Sequence, residues 1–398
     1  MKRLALVCLL AAACGGDRSG ERYGFVARLG SDTISAERVT RVGDTLTSDE
    51  VDRFPRVRRR HTRVVLAPDG SIRQLVMDIL TPSAAANKDR NRRFTADITG
   101  DSLKVTARDS SGTAALAFAT NGELTMPHVQ QMYSLIDVYI AAALARGAAR
   151  KVGPDDSVHV TQFYPDADLA RFPMHDGFVH ALPGGKAELW HDMLSGIGDA
   201  TLDSARRLTS YDGARSTYKV DVRRVSAWPD VDALAAKLTA EEQKTGPSQL
   251  SVRDTMRASI GAAAFTVDYS RPLRRGRTLL GDVIPFGYVW RTGANAATQF
   301  STSAAITVAG VALAPGLYTL WTVPAKDGSA DLIVSRQTGQ WGTDYDEKPV
   351  IGRGAFKTET TASPVEKFTI FVTQADAHHG VLVMEWGTFR WTAPIVVR

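Results

Sequence analysis

The sequence predicts a mainly β protein with a few helices, in which an N-terminal β-meander of the α+β kind is followed by an all-β sandwich. Three observations carry this expectation. Short runs alternate between apolar and polar residues with a period of two, as at Phe300, Thr302, Ala304, Ile306 and Val308. Turn-forming pairs such as Gly43-Asp44, Asp69-Gly70 and Thr99-Gly100 separate them. A helical period shows in only two segments, near 127–146 and 231–243. With 398 residues, 44% hydrophobic and 23% charged, the chain is long enough for two cores.

The chain opens with the basic Met1-Lys2-Arg3 and an apolar run from Leu4 to Ala13. That run is too short for a helix to span about 30 Å of hydrocarbon, so residues 1–13 read as a signal peptide. Its end, Ala11-Ala12-Ala13-Cys14-Gly15-Gly16, resembles a bacterial lipobox, which implies a diacylglycerol on Cys14. Cys8 would leave with the signal peptide, so the mature chain would hold Cys14 alone, without an internal disulfide or a thiolate metal site. Each buried CH₂ of an acyl chain contributes about 0.8 kcal/mol, enough for a multiply acylated Cys14 to hold the protein on a membrane. Residues 14–21 read as a lipidated tether, rich in glycine, serine and charge.

From 22 to 246 the pattern is a β-rich domain. Strands are expected at 23–29, 33–41, 63–67, 71–80 and 102–107, and later at 157–163, 186–192, 200–210 and 216–225. Val129, Met132, Tyr133, Ile136, Ile140 and Leu144 fall at helical spacing between Pro127 and Gly147, so a helix is expected near 127–146, its stripe facing the core. Thr245-Gly246-Pro247-Ser248 reads as the linker to a second domain at 251–398, where seven or eight short strands fit a two-sheet sandwich.

The net charge of +5 gathers in two places, Arg56–Arg63 and Arg271–Arg277. Export argues against nucleic acid as a partner, and both runs read instead as arginines on an exposed strand face or a contact for anionic lipid near the tether.

The stretch from Phe265 to Thr298 organises the second domain. It carries Tyr269-Ser270-Arg271-Pro272, Arg275-Gly276-Arg277, Gly281-Asp282 and Trp290-Arg291-Thr292-Gly293-Ala294-Asn295 in that order. By these residues it resembles the uncharacterised bacterial family called domain of unknown function 2911. The resemblance implies a fold class and no activity.

The candidate binding residues are Asp268, Tyr269, Arg277, Asp282, Trp290, Arg291, Asn295 and Tyr318. Aromatic faces and planar guanidinium forks suit a sugar or a carboxylate. Such residues equally build sandwiches, and an Arg291 paired with Asp268 or Asp282 would brace one. His159, His175, His180 and His191 crowd half of the eight histidines into one region, with Asp176 and Asp192 adjacent, but their spacing matches no metal motif. They are weak metal candidates and read as scattered loop histidines; no metal and no cofactor is expected. No nucleophile elbow, Walker loop or dinucleotide fingerprint is present.

The expected protein is exported and lipid-anchored to a cell-envelope membrane, on its periplasmic or outer-membrane face. Its C-terminal sandwich would bind a small molecule, a glycan or a protein. The competing readings are an envelope hydrolase, built on a carboxylate pair or a histidine-centred metal, and a purely structural component.

Overall fold

The computed structural model describes residues 20–53, 55–82, 91–150, 153, 156–165, 170, 174–191 and 196–398. The expected signal peptide, Cys14 and residues 14–19 of the expected tether lie outside the described residues, as do Asp192 and the side chain of His191.

The chain enters its first sheet in the middle, through β1 (Glu21–Leu29), so Glu21 belongs to a strand and not to the tether. Hairpins carry it outward through β2 (Asp32–Val42), β3 (Thr45–Arg53), β4 (Val57–Leu66), β5 (Ile72–Leu80), β6 (Arg92–Thr99), β7 (Ser102–Asp109) and β8 (Gly112–Ala119), the strand at one edge. Gly43 and Gly100 take left-handed φ at two of the hairpin tips, which glycine adopts without steric cost. The chain then crosses to the opposite edge at β9 (Thr125–Pro127) and forms helix α1 (Tyr133–Arg150). It returns inward through β10 (Ser157–Phe163), β11 (His175–Leu182), β12 (Lys186–His191), β13 (Ile197–Leu202), β14 (Leu208–Asp212) and β15 (Asp221–Val225). β15 closes on β1 from Gly24↔Val225 to Arg28↔Asp221, giving one sheet of fifteen strands among the described residues. The expected strand at 200–210 is therefore two, β13 and β14.

Alternation along β2 gives this sheet two covered faces. Glu37 and Val39 look toward α1, while Ala36 and Arg38 look toward α2 (Val231–Thr245), whose Val231, Ala235 and Leu238 pack on Ala36, Val51 and Val57. Helix α1 begins six residues later than its apolar period predicts and runs past Gly147, which is buried inside it without left-handed φ. Pro127 closes β9, which pairs with β10 in parallel, and Val129 and Met132 are buried in the lead-in. The start is fixed from outside: Glu37 on β2 accepts from the Ser134 N–H at 2.9 Å and from the Ser134 hydroxyl, satisfying a free donor of the first turn.

The arginine run on β4 is not an open basic face. Arg59 pairs with Asp232 and Arg56 with Glu242, while Arg60 is 2% exposed. Strand alternation turns Arg60 inward, where Nη1 meets Glu50 at 2.7 Å and Asp52 at 2.6 Å.

Beyond α2 the chain builds two further sheets. One contains β16 (Ser251–Ile260), β17 (Ala263–Pro272), β18 (Thr298–Thr302), β21 (Gly316–Pro324), β22 (Ala330–Ser335) and β23 (Val350–Ala355). The other contains β19 (Ile306–Val308), β20 (Val311–Leu313), β24 (Lys357–Gln374) and β25 (His379–Val397). Ten strands replace the expected seven or eight. The run at 300–308 changes sheet between Thr302 and Ile306 while Phe300, Ile306 and Val308 stay in one core, so its alternation masks the crossing. β25 runs unbroken through Gly387, whose φ of +57 accompanies a register shift against β24. Phe265 and Phe300 from the first sheet meet Phe368, Trp386 and Trp391 from the second in a shared core.

The sandwich is fastened to the N-terminal sheet through Arg275. Its carbonyl accepts from Ser31 N–H at 2.8 Å, and its Nε donates to Asp32 at 2.9 Å. Gly30, at the β1–β2 turn, has φ +63, and a Cβ there would fall 2.1 Å from the Arg275 carbonyl oxygen. Only glycine permits that approach.

Candidate functional site

The turn from Trp290 to Asn295 is held in a conformation its side chains resist. Thr292 and Asn295 have φ of +51 and +59, and Gly293 has φ +150, with a Cβ position 2.8 Å from the Ser270 carbonyl oxygen. A β-branched residue with positive φ is an outlier that its surroundings must enforce. Here Thr292 Oγ1 lies 2.9 Å from Thr322 Oγ1, Thr298 Oγ1 donates to the Thr292 carbonyl at 2.6 Å, and Gly342 N–H donates to the Asn295 carbonyl at 2.9 Å. Behind the turn, the Trp290 ring stacks on Trp386 with centroids 6.1 Å apart and planes at 11°.

This turn forms one wall of a cavity of about 130 Å³ at the junction of the two regions. Trp290, Arg291, Gly293, Ala294 and Asn295 line it, together with Pro272, Arg275, Arg277, Val283 and Trp386 from the sandwich. Leu29 on β1 and Thr217, Tyr218 and Lys219 in the β14–β15 connection line it from the N-terminal side. An adjoining groove of about 290 Å³ shares Lys219, Arg277 and Val283 and adds Asp212 and Asp282.

Besides Arg275, which is paired with Asp32, three cations face this space. Lys219 Nζ donates to the Ala214 carbonyl at 2.6 Å; Arg277 donates to the carbonyls of Arg274 and Leu273 at 3.0 and 2.6 Å; Arg291 donates to the Asn295 carbonyl at 3.4 Å. Burial pushes Lys219 down to about 8, with Arg291 and Arg277 adding repulsion and Asp212 opposing it. Burial, then Arg275, brings Arg277 down to about 10, and burial alone lowers Arg291.

Of the residues singled out in the sequence, Arg277, Trp290, Arg291 and Asn295 thus meet at one cavity, with Asp282 exposed in the adjoining groove. The others stand elsewhere. Asp268 forms a bidentate pair with Arg253 at 2.8 and 2.9 Å, which leaves the expected brace to Arg291 unmade. Tyr269 is 2% exposed, and its hydroxyl accepts from Ile370 N–H at 2.9 Å, pinning one sheet of the sandwich to the other. Tyr318 is buried and donates to the Ala314 carbonyl at 2.8 Å.

The histidines lie on strands and not in loops. His159 sits 2.8 Å from Asp176, and His180 3.5 Å from Glu188. His175, opposite Gln162 in the register, is on the other face and meets the Tyr164 ring edge-on. Among the described residues no three His, Cys, Asp or Glu side chains gather as metal ligands.

One constellation went unseen in the sequence. Glu37, Glu50, Asp52 and Arg60 form a buried ionic cluster on the α1 face. Burial pushes Glu37 up to about 7 against hydrogen bonds from Ser134 and Ser48, and raises Glu50 well above the carboxylate range. Tyr218 stands between this cluster and the cavity: it lines the cavity, while Asp52 and Glu50 help to raise its hydroxyl. Glu50 and Asp52 are bridged by a single arginine and sealed from solvent, which suits a structural ion pair and not a hydrolytic one. The signal that could have found the cluster was the polar alternation Ser48, Glu50, Asp52 along β3.

Residues 251–395 match the family described as Protein of unknown function (DUF2911). The resemblance carried by the Tyr269–Pro272 and Trp290–Asn295 motifs is therefore shown. The DUF2911 match begins with β16 and ends within β25, so the sandwich side of the cavity lies inside it and Lys219 lies outside. A crystal structure of a DUF1089 family protein from Pseudomonas aeruginosa is similar at 14% identity, with a TM-score of 0.34, over 46% of this chain and 92% of that one. No curated protein matches the sequence.

Proposed function

We propose that this is an exported protein, tethered to a cell-envelope membrane through an acylated Cys14, that binds a small-molecule ligand in the cavity between its N-terminal sheet and its DUF2911-matching sandwich. The observation that carries the reading is the joint construction of that cavity. The strained Trp290–Asn295 turn supplies one wall, and Tyr218 and Lys219 supply the other. Backbone strain held in place by surrounding hydrogen bonds concentrates at binding sites, because a scaffold alone gains nothing from it. A cavity with an aromatic floor and few convergent polar groups has the composition of a ligand site. The Ala-Ala-Ala-Cys sequence supports the anchor.

A thermal-shift screen of envelope glycans, amino acids and small organic acids tests the binding reading. A compound that stabilises the parent should lose its effect in Ala294→Trp, which fills the cavity. Equal shifts in both proteins, or no shift from any class, would overturn it. Cell fractionation tests the anchor: Cys14→Ser should leave the membrane fraction, and a variant as membrane-bound as the parent would refute acylation.

A further inference from the structure

We propose that the ligand of this cavity carries a compact oxyanion, a carboxylate or a phosphate, received by Lys219, Arg277 and Arg291. The inference rests on the binding reading above and adds the chemical class of the ligand.

Several arginines near the cavity and on the same sandwich hold a carboxylate. On the same sandwich Arg253 pairs with Asp268, Arg271 with Asp254, Arg353 with Glu347 and Arg390 with Glu385, and Arg275 reaches Asp32 across the junction. The three cavity cations, each withdrawn in part from solvent, lack such a partner: among the described residues none of them has a carboxylate oxygen within 4.0 Å, and the hydrogen bonds they make go to backbone carbonyls. Asp212 and Asp282 stand in the adjoining groove, exposed and beyond ion-pair reach.

Partly buried cations that repel one another cost stability unless something compensates them. A guanidinium has five donors and an ammonium three, and the carbonyls engage only part of that capacity. Donors therefore remain for an oxyanion, and the fork of a guanidinium matches carboxylate or phosphate oxygens in pairs. The walls strengthen the attraction, since Leu29, Val283 and Trp290 present apolar surface of low dielectric beside the cations. The cations also arrive from both regions, Lys219 from the N-terminal side and the two arginines from the sandwich, so a bound anion would join them electrostatically.

The test uses the mature chain with inorganic phosphate and succinate as probes at low ionic strength, read by Trp290-sensitive fluorescence and calorimetry. Saturable binding of at least one probe is expected, and its identity assigns the group as phosphate or carboxylate. Arg291→Gln and Lys219→Met should each weaken it about tenfold or more while melting like the parent. In the unaltered protein, the probe should slow acetylation of Lys219 at pH 8, which keeps the test independent of variant folding. Failure of both probes to saturate, or binding unchanged in both variants with Lys219 unprotected, would overturn the inference. If a neutral compound shifts the parent but not Ala294→Trp while neither anion binds, the anion class is wrong and the cavity reading stands. If nothing binds, both fall.

Discussion

Replacing Glu37 by glutamine should remove much of the loss of stability between pH 5 and pH 8. Glu37 is 1% exposed, and burial raises it from 4.5 to about 7. A carboxyl whose folded value lies above its unfolded value binds its proton more tightly in the native state. The stability it contributes is complete below the unfolded value and is lost as the pH climbs through the folded one. With these two values, linkage makes the native protein roughly 2–3 kcal/mol more stable at pH 5 than at pH 8 on account of Glu37. Asp137, pushed up to about 6 by burial, and Glu50, raised well above the carboxylate range by burial, add in the same direction and keep part of the slope in the variant. The carboxylates lowered by partners, such as Asp49 and Asp69, change protonation below this window and leave it unaffected. Glutamine keeps the shape, accepts from Ser134 N–H through its carbonyl and donates to the Ser134 hydroxyl through its amide. The variant should therefore match the parent within about 1 kcal/mol at pH 5 and exceed it at pH 8. Urea unfolding of both proteins at the two pH values measures the difference. A variant whose stability falls as steeply as the parent's would refute the assignment of the slope to Glu37.

Arg60→Met should cost about 3–5 kcal/mol at neutral pH, because it leaves the Glu50 carboxylate in the core without its guanidinium, and less at pH 5, where the raised Glu50 can take up a proton; denaturant titration at both pH values checks it. Gly30→Ala should cost roughly 1–3 kcal/mol through left-handed φ and collision with the Arg275 carbonyl. Urea unfolding gives that cost, and limited proteolysis should cut the 246–250 linker sooner as the junction loosens. The segment Ser251–Arg398 should unfold cooperatively by itself, since its core draws only on residues 256–397; a broad calorimetric melt would show dependence on the N-terminal sheet.

What the sequence determined is local. Period-two alternation set the mainly β character, the second helix was placed to within two residues and the first to within six, and the Tyr269–Pro272 and Trp290–Asn295 motifs marked the DUF2911-matching sandwich. The Trp290–Asn295 turn was legible because its residues are neighbours in the chain. Tertiary structure decided what depends on register and on distant contacts. Asp268 pairs with Arg253 because Asp268 sits opposite Thr255 in the β16–β17 ladder, which brings Arg253 to its diagonal. Helix α1 starts where a strand residue 97 positions earlier in the sequence supplies its cap. Arg60 lies inside because pairing with β3 and β5 fixes which face of β4 is covered, a choice that an arginine-rich run does not disclose. Lys219 reached the cavity only because β15 pairs with β1 and the Arg275 contact at the β1–β2 turn brings the sandwich against that end of the strands. Nothing in Ser216–Val220 distinguishes that lysine from one in water, because desolvation is a property of what packs against a residue and not of its neighbours in sequence.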